Sequence, residues 1–156
     1  MQRILATDPA SVLKAVIAST IQDVTAGATP DNHNVTGLAI DRETMHLPPA
    51  AVLAVYFEAV LGAAKTLAIK NVSIQHSDDG ATNWATYLTL TDPGVVATGQ
   101  SGGSTERGQV QNSVNLSGAK RWVRTMFTPD LSATNTDTCE VMSSLIFTGF
   151  DTIPHA

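Results

Sequence analysis

Turn signals recur about every ten residues along most of this chain, and the runs between them are strand-length and rich in β-branched and aromatic residues. No long helical pattern interrupts the series. Ser77-Asp-Asp-Gly80, Asp92-Pro-Gly94 and Ser117-Gly118 supply the clearest punctuation. Glycine tolerates positive φ, and aspartate bonds back to its own backbone, so each has a physical cause as a turn. The intervening runs, Leu67 to His76, Trp84 to Thr91, Val95 to Thr98, Gln109 to Leu116, Ala119 to Thr128 and Cys139 to Phe150, read as strands. This spacing predicts an all-β fold, an antiparallel β-sandwich of jelly-roll-like form.

Local patterns add detail. Leu67 and Ile69 share one face while Val72 and Ile74 share the other, a change of register that predicts a bulge near Lys70 or Asn71. In Ala119 to Thr128, Trp122, Arg124 and Met126 oppose Val123, Thr125 and Phe127. Ala50 to Leu61 (AAVLAVYFEAVL) carries a helix start in Pro48 and Pro49, but its β-branched and aromatic residues favour a strand. Ser11 to Val24 suits a helix or a strand equally. Thr25 to Thr36, Gly99 to Gly108 (GQSGGSTERG) and Pro129 to Asp137 read as loops, Gly37 to Asp41 as a short strand, and His46 to Pro49 as a break. Residues 1–10 form an expected N-terminal arm, and residues 11–156 a single sandwich domain.

Composition narrows the function classes. At 156 residues the chain is long enough to bury a core without staples. Only 15% of residues are charged, and small neutral polar residues take their place, which suits strands and surfaces buried against partners. The net charge is −5, and the nine Lys and Arg residues are scattered, so no basic face for nucleic acid is expected. One cysteine, Cys139, excludes an internal disulfide framework. Asp8 and Pro9 interrupt the N-terminus before an apolar leader core forms, and Ala50 to Ala64, broken by Glu58, is too short for a membrane span. Without a leader, the glycosylation patterns at Asn34, Asn71 and Asn115 carry little weight. The expected place of synthesis is the cytoplasm, with no membrane partner.

Each chemical motif has a structural reading beside it. Gly99-Gln-Ser101-Gly-Gly103 spells a hydrolase elbow, but a second Gly-bounded loop follows where the elbow needs a helix. His33, His46, His76 and His155 lack ligand spacing, and Cys139 has no paired cysteine, so no metal or other cofactor is expected. Asp78, Asp79 and Asp92 suit a cation or acid–base chemistry, yet turn formation suffices for them. Tyr56, Trp84, Tyr87 and Trp122 could form a sugar platform; with aromatics at 5% of the chain, core or interface use fits better. Lys120, Arg121 and Arg124 form the densest basic group. Arg121 and Arg124 differ in parity. Either one points inward or into an interface, with Glu140 or Asp130 as its carboxylate, or both stay solvated at a strand end. No catalytic set emerges, so no enzyme activity is expected.

Three motifs in order, Ile74-Gln-His-Ser-Asp-Asp-Gly80 with Trp84, Asn115-Leu-Ser-Gly-Ala-Lys-Arg-Trp-Val-Arg124, and Gly149-Phe-Asp-Thr-Ile-Pro154, resemble the small β-sandwich structural proteins of tailed-phage virions. Several of these are capsid decoration, or cement, proteins. The resemblance covers roughly residues 38–154. It implies a jelly-roll-like protein, often a homotrimer, on the outer surface of a phage head, with the major capsid protein as partner and no catalytic residues. Tail or head-fibre components and carbohydrate-binding sandwiches share such folds and stand as alternatives. The expected capsid or subunit contacts are Arg3, Ile4 and Leu5 in the arm, which could add a strand to a neighbour's edge, together with Arg121 and Arg124.

Overall fold

In the computed structural model, residues 12–149 are described and the strand-length runs pair into two antiparallel sheets. The strands are β1 Lys14–Ile17, β2 Gln22–Thr25, β3 Val35–Thr36, β4 Ile40–Asp41, β5 Ala50–Leu61, β6 Thr66–Ser77, β7 Ala85–Thr89, β8 Gly94–Thr98, β9 Ser104–Asn115, β10 Trp122–Leu131 and β11 Thr138–Thr148. In the first sheet β9, β5 and β11 lie side by side, with β1 and β2 in tandem along β11. In the second, β6 and β10 are central, β7 and β8 share the far side of β6, and β3 and β4 share the far side of β10. Taking each of the three tandem pairs as one strand reduces eleven to eight, with sheet orders 1-8-3-6 and 2-7-4-5. That is the winding of a jelly roll. The expected arm, residues 1–10, lies outside the described residues.

One core fills the space between the sheets. From the first sheet β5 contributes Leu53, Val55, Phe57 and Leu61, and β11 contributes Val141, Leu145 and Phe147. Opposite them stand Leu67, Ile69, Val72 and Ile74 of β6 and Val123, Phe127 and Leu131 of β10. The register between β6 and β10 shifts between Met126 and Thr128, and Asn71 there has φ 52°. This is the expected bulge. Its extra residue turns Val72 and Ile74 back to the face used by Leu67 and Ile69, so all four reach the core.

Three loop boundaries differ from the sequence reading. Ser104–Gly108, expected as loop, is the first part of β9 and pairs with Phe57–Leu61. It reads as polar because it lies on the exposed edge of a sheet. Gly108 is required there, since an added Cβ would lie 2.7 Å from Phe57 Cζ. Pro129–Leu131 continue β10 instead of leaving it. A proline fits because β3 has already ended; the carbonyl of Pro129 faces that side and accepts from Asn32 N at 2.8 Å, so no ladder bond is lost. Thr25 closes β2 and Val35–Thr36 form β3, which trims the expected loop at both ends. Ser11 to Val24 resolves into strands rather than helix, and in the Gly37–Asp41 segment only Ile40–Asp41 pair as a strand.

Arg42 pins the base of the second sheet. It is 2% exposed, and a short 3-10 turn, Glu43–Met45, follows it. Its Nη1 donates to Ala119 O at 2.7 Å and Lys120 O at 2.8 Å; its Nη2 donates to Pro48 O and Leu116 O, both at 2.9 Å. Burial holds its pKa below the usual guanidinium value. Four carbonyls solvate this cation in place of water.

Candidate interaction surfaces

The outer face of the second sheet is polar. Arg121, just before β10, holds Asp41 in a two-point contact (Nε to Oδ1 2.9 Å, Nη2 to Oδ2 2.7 Å) and reaches Glu43 at 2.5 Å. These contacts hold the Asp41 carboxyl below its ordinary pKa. Arg124 donates from Nε to Gln75 Oε1 at 2.7 Å and lies over the Trp84 ring, 4.3 Å from its centroid. Burial lowers the Arg124 pKa. Neither arginine enters the core, and neither meets Glu140 or Asp130; Asp130 pairs with Lys70 instead. The inward-arginine alternative is corrected: the buried arginine is Arg42. Arg121 and Arg124 therefore belong to separate side-chain groups. Arg3, Ile4 and Leu5 lie outside the described residues.

The other candidates have structural surroundings. Ser101 lies in the turn that joins β8 to β9, so the chain runs strand, turn, strand, and the helix of a hydrolase elbow is not there. Asp79 accepts from Thr82 Oγ1 at 2.5 Å, Thr82 N at 2.8 Å, Ala81 N at 2.9 Å and Ser77 Oγ at 2.8 Å. The Thr82 hydroxyl leads these bonds in holding its carboxyl far below the usual range. Asp78 pairs with Lys120, and Asp92 accepts from Val72 N beside the bulge. Among the described residues no three His, Cys, Asp or Glu side chains converge as a metal site. The aromatic candidates disperse: Trp84 is stacked by Arg124, Tyr87 tilts against His76, and Trp122 packs over Gly80, while Tyr56 lies on the opposite sheet.

The feature the sequence reading missed is the outer face of the first sheet. Cross-strand registers arrange its side chains in rows. Ala15, Ile146, Val52 and Ser113 form one; Ile17, Ser144, Ala54 and Gln111 the next; Met142, Tyr56 and Gln109 the third. None of these rows carries a charge. Ile17 is 60% exposed, and with Tyr56 and Met142 it borders a shallow groove floored by Ser144, whose hydroxyl donates to Tyr56 Oη at 3.3 Å. The fourth row, Asp23, Glu140, Glu58 and Arg107, ends the apolar stretch with charges. Arg107 holds Glu58 by two bonds, at 2.6 and 3.0 Å, and lowers its pKa. The available signal was in β5 itself: AAVLAVYF is apolar at successive positions, as in a strand covered on both faces.

No protein-family model and no curated protein matches the chain. Solved structures give distant likenesses. The PBSX exported protein XepA aligns at TM-score 0.43 and 15% identity over 92% of this chain and 40% of its own. A structure of infectious bursal disease virus, Gx strain, aligns at 0.49 and 11% over 89% of this chain and 32% of its own. The C-terminal family 22 carbohydrate binding module of Clostridium thermocellum Xyn10B aligns at 0.38 and 12%, over 92% and 88%. The chain thus spans less than half the length of the first two. No argument about function follows from likenesses at these scores.

Proposed function

We propose that this protein is a non-enzymatic virion structural protein that binds the outer surface of a phage head and stabilises contacts between major capsid subunits, acting as a homotrimer. The observation that carries the reading is the broad outer face of the first sheet, with its three successive uncharged rows. A cement protein must resist separation of neighbouring subunits, and that task calls for wide, shape-matched surfaces rather than a pocket. Specific contacts of this kind bury roughly 1,000 Å² or more around an apolar centre with a polar rim. Three linked copies multiply weak contacts through effective concentration.

In this reading Arg121 and Arg124 face the capsid and residues 1–10 add backbone contacts to a neighbour. The resemblance of the three ordered motifs to virion proteins supports the choice of a phage head. The test is add-back of purified protein to heads that lack it. Full-length protein should sediment with the heads and raise their resistance to heat, and deletion of residues 1–9 should weaken attachment while the circular dichroism of the sandwich is unchanged. Heads that take up none of the full-length protein would refute the proposal.

A further inference from the structure

We infer that the outer face of the β1–β11–β5–β9 sheet is a self-association surface, covered by a second copy of this chain. The inference rests on the reading of the protein as one that works by packing against protein subunits, and it names where the copies meet.

Four observations converge on a second copy. The two outer faces differ in kind: the second sheet presents Asp41, Gln75 and Arg124, with Lys70 and Asp130 alongside, and is suited to water, whereas the first presents three successive uncharged rows. Antiparallel sheets with one wet face alternate apolar and polar residues, and β5 does not.

The size also fits. Four strands about 4.8 Å apart, along the 12 residues of β5 at about 3.4 Å each, give a whole face, charged row included, of roughly 750 Å². Each partner in a standard interface contributes roughly 800 Å².

The same sheet has an unfinished edge. Three of the four sheet edges are broken into short tandem strands, the usual protection against unwanted pairing, but β9 runs unbroken for 12 residues beside the apolar face. Among the described residues its backbone ladder is with β5 alone.

Finally, the charges permit it. The one row that carries charge, Asp23–Glu140–Glu58–Arg107, lies beside the three uncharged rows and not among them, so a copy seated on those rows sets none of its own carboxylates against these. No carboxylate then meets another. A largely uncharged face of this extent also suits a permanent partner available at synthesis, and a copy of the chain itself meets that condition.

The experiment is thiol labelling of full-length Ile17→Cys and Val95→Cys variants, with sedimentation of each sample. Ile17 and Val95 are 60% and 59% exposed in the lone chain, so a difference in rate reports a covering partner. The native Cys139 is buried, with its pKa pushed up to about 12, and does not compete. The expected result is an oligomer in which Ile17→Cys reacts at least tenfold more slowly than Val95→Cys. Tyr56→Glu should shift the protein to monomer and Met126→Glu, on the other sheet, should not. Equal labelling rates, or a monomer at all concentrations, overturns the inference. Slow labelling in a monomer also overturns it, by giving the face to residues 1–11 of the same chain. Because no heads are present, failure here leaves attachment to the capsid standing, though not the trimer, and failure of add-back leaves this surface standing.

Discussion

Replacing Arg42 with methionine keeps an unbranched side chain of similar length but removes the cation and the donors that serve the carbonyls of Pro48, Leu116, Ala119 and Lys120. A buried acceptor left without a donor costs about 1–3 kcal/mol; Leu116 O keeps its bond from Ala119 N, so the other three carbonyls cost on the order of 3–9 kcal/mol before relaxation. Part of that returns, because methionine also removes the cost of holding a charge out of water. We expect a net loss of about 3–5 kcal/mol. For a domain of this size that lowers Tm by roughly 10 °C, measured by circular dichroism or calorimetry. Arg42→Lys, with three donors on one point rather than a planar fork, should fall between the two. A methionine variant within about 1 kcal/mol of wild type would refute the claim that this network holds the β3/β4 edge, the 3-10 turn and the entry to β10 together.

Further outcomes follow from single contacts. Gly99→Ala should destabilise by about 1–3 kcal/mol, because its Cβ would lie 2.1 Å from Gly62 O; thermal melts check this. Asp79, Asp41 and Glu58 all have pKa values depressed in the fold, so their contribution is present above their unfolded values, near pH 4, and is lost as pH falls through the lower folded ones. Stability should therefore decline from about pH 4 downward, and Asp79→Asn should lower stability at pH 7 while flattening that decline in urea titrations. The Cys139 thiol should resist aromatic disulfide reagents at pH 8 until the protein is unfolded, since burial, aided by the Asp31 charge, pushes its pKa up to about 12. Trp84→Ala should leave titrations with soluble glycans flat, as in wild type, because Arg124 already occupies a face of that ring.

The sheets were legible where one face of a strand is buried and the period of two survives. Val123, Thr125 and Phe127 against Trp122, Arg124 and Met126 is such a case, and so is the bulge betrayed by Leu67-Ala-Ile69 changing phase to Val72-Ser-Ile74. Edges were less legible. Ser104–Gly108 pairs along its whole length with β5, yet its solvated side chains spell a loop. Val35–Thr36 is too short to leave a pattern, and of the short strand expected over Gly37–Asp41 only Ile40–Asp41 pairs. Arg42 was invisible because its partners are backbone carbonyls, which carry no signature in sequence. The uncharged rows of the first sheet were written in AAVLAVYF, but the same letters served equally well as an argument about helix against strand.

Electron cryomicroscopy of the particle that carries this chain tests the central claim most directly. The account predicts jelly-roll density seated over junctions of the major capsid protein, with Arg121 and Arg124 turned toward the shell and Tyr56 and Met142 covered by a neighbouring copy. Particles without such density, or a copy whose Tyr56 face stands open to solvent, would contradict it.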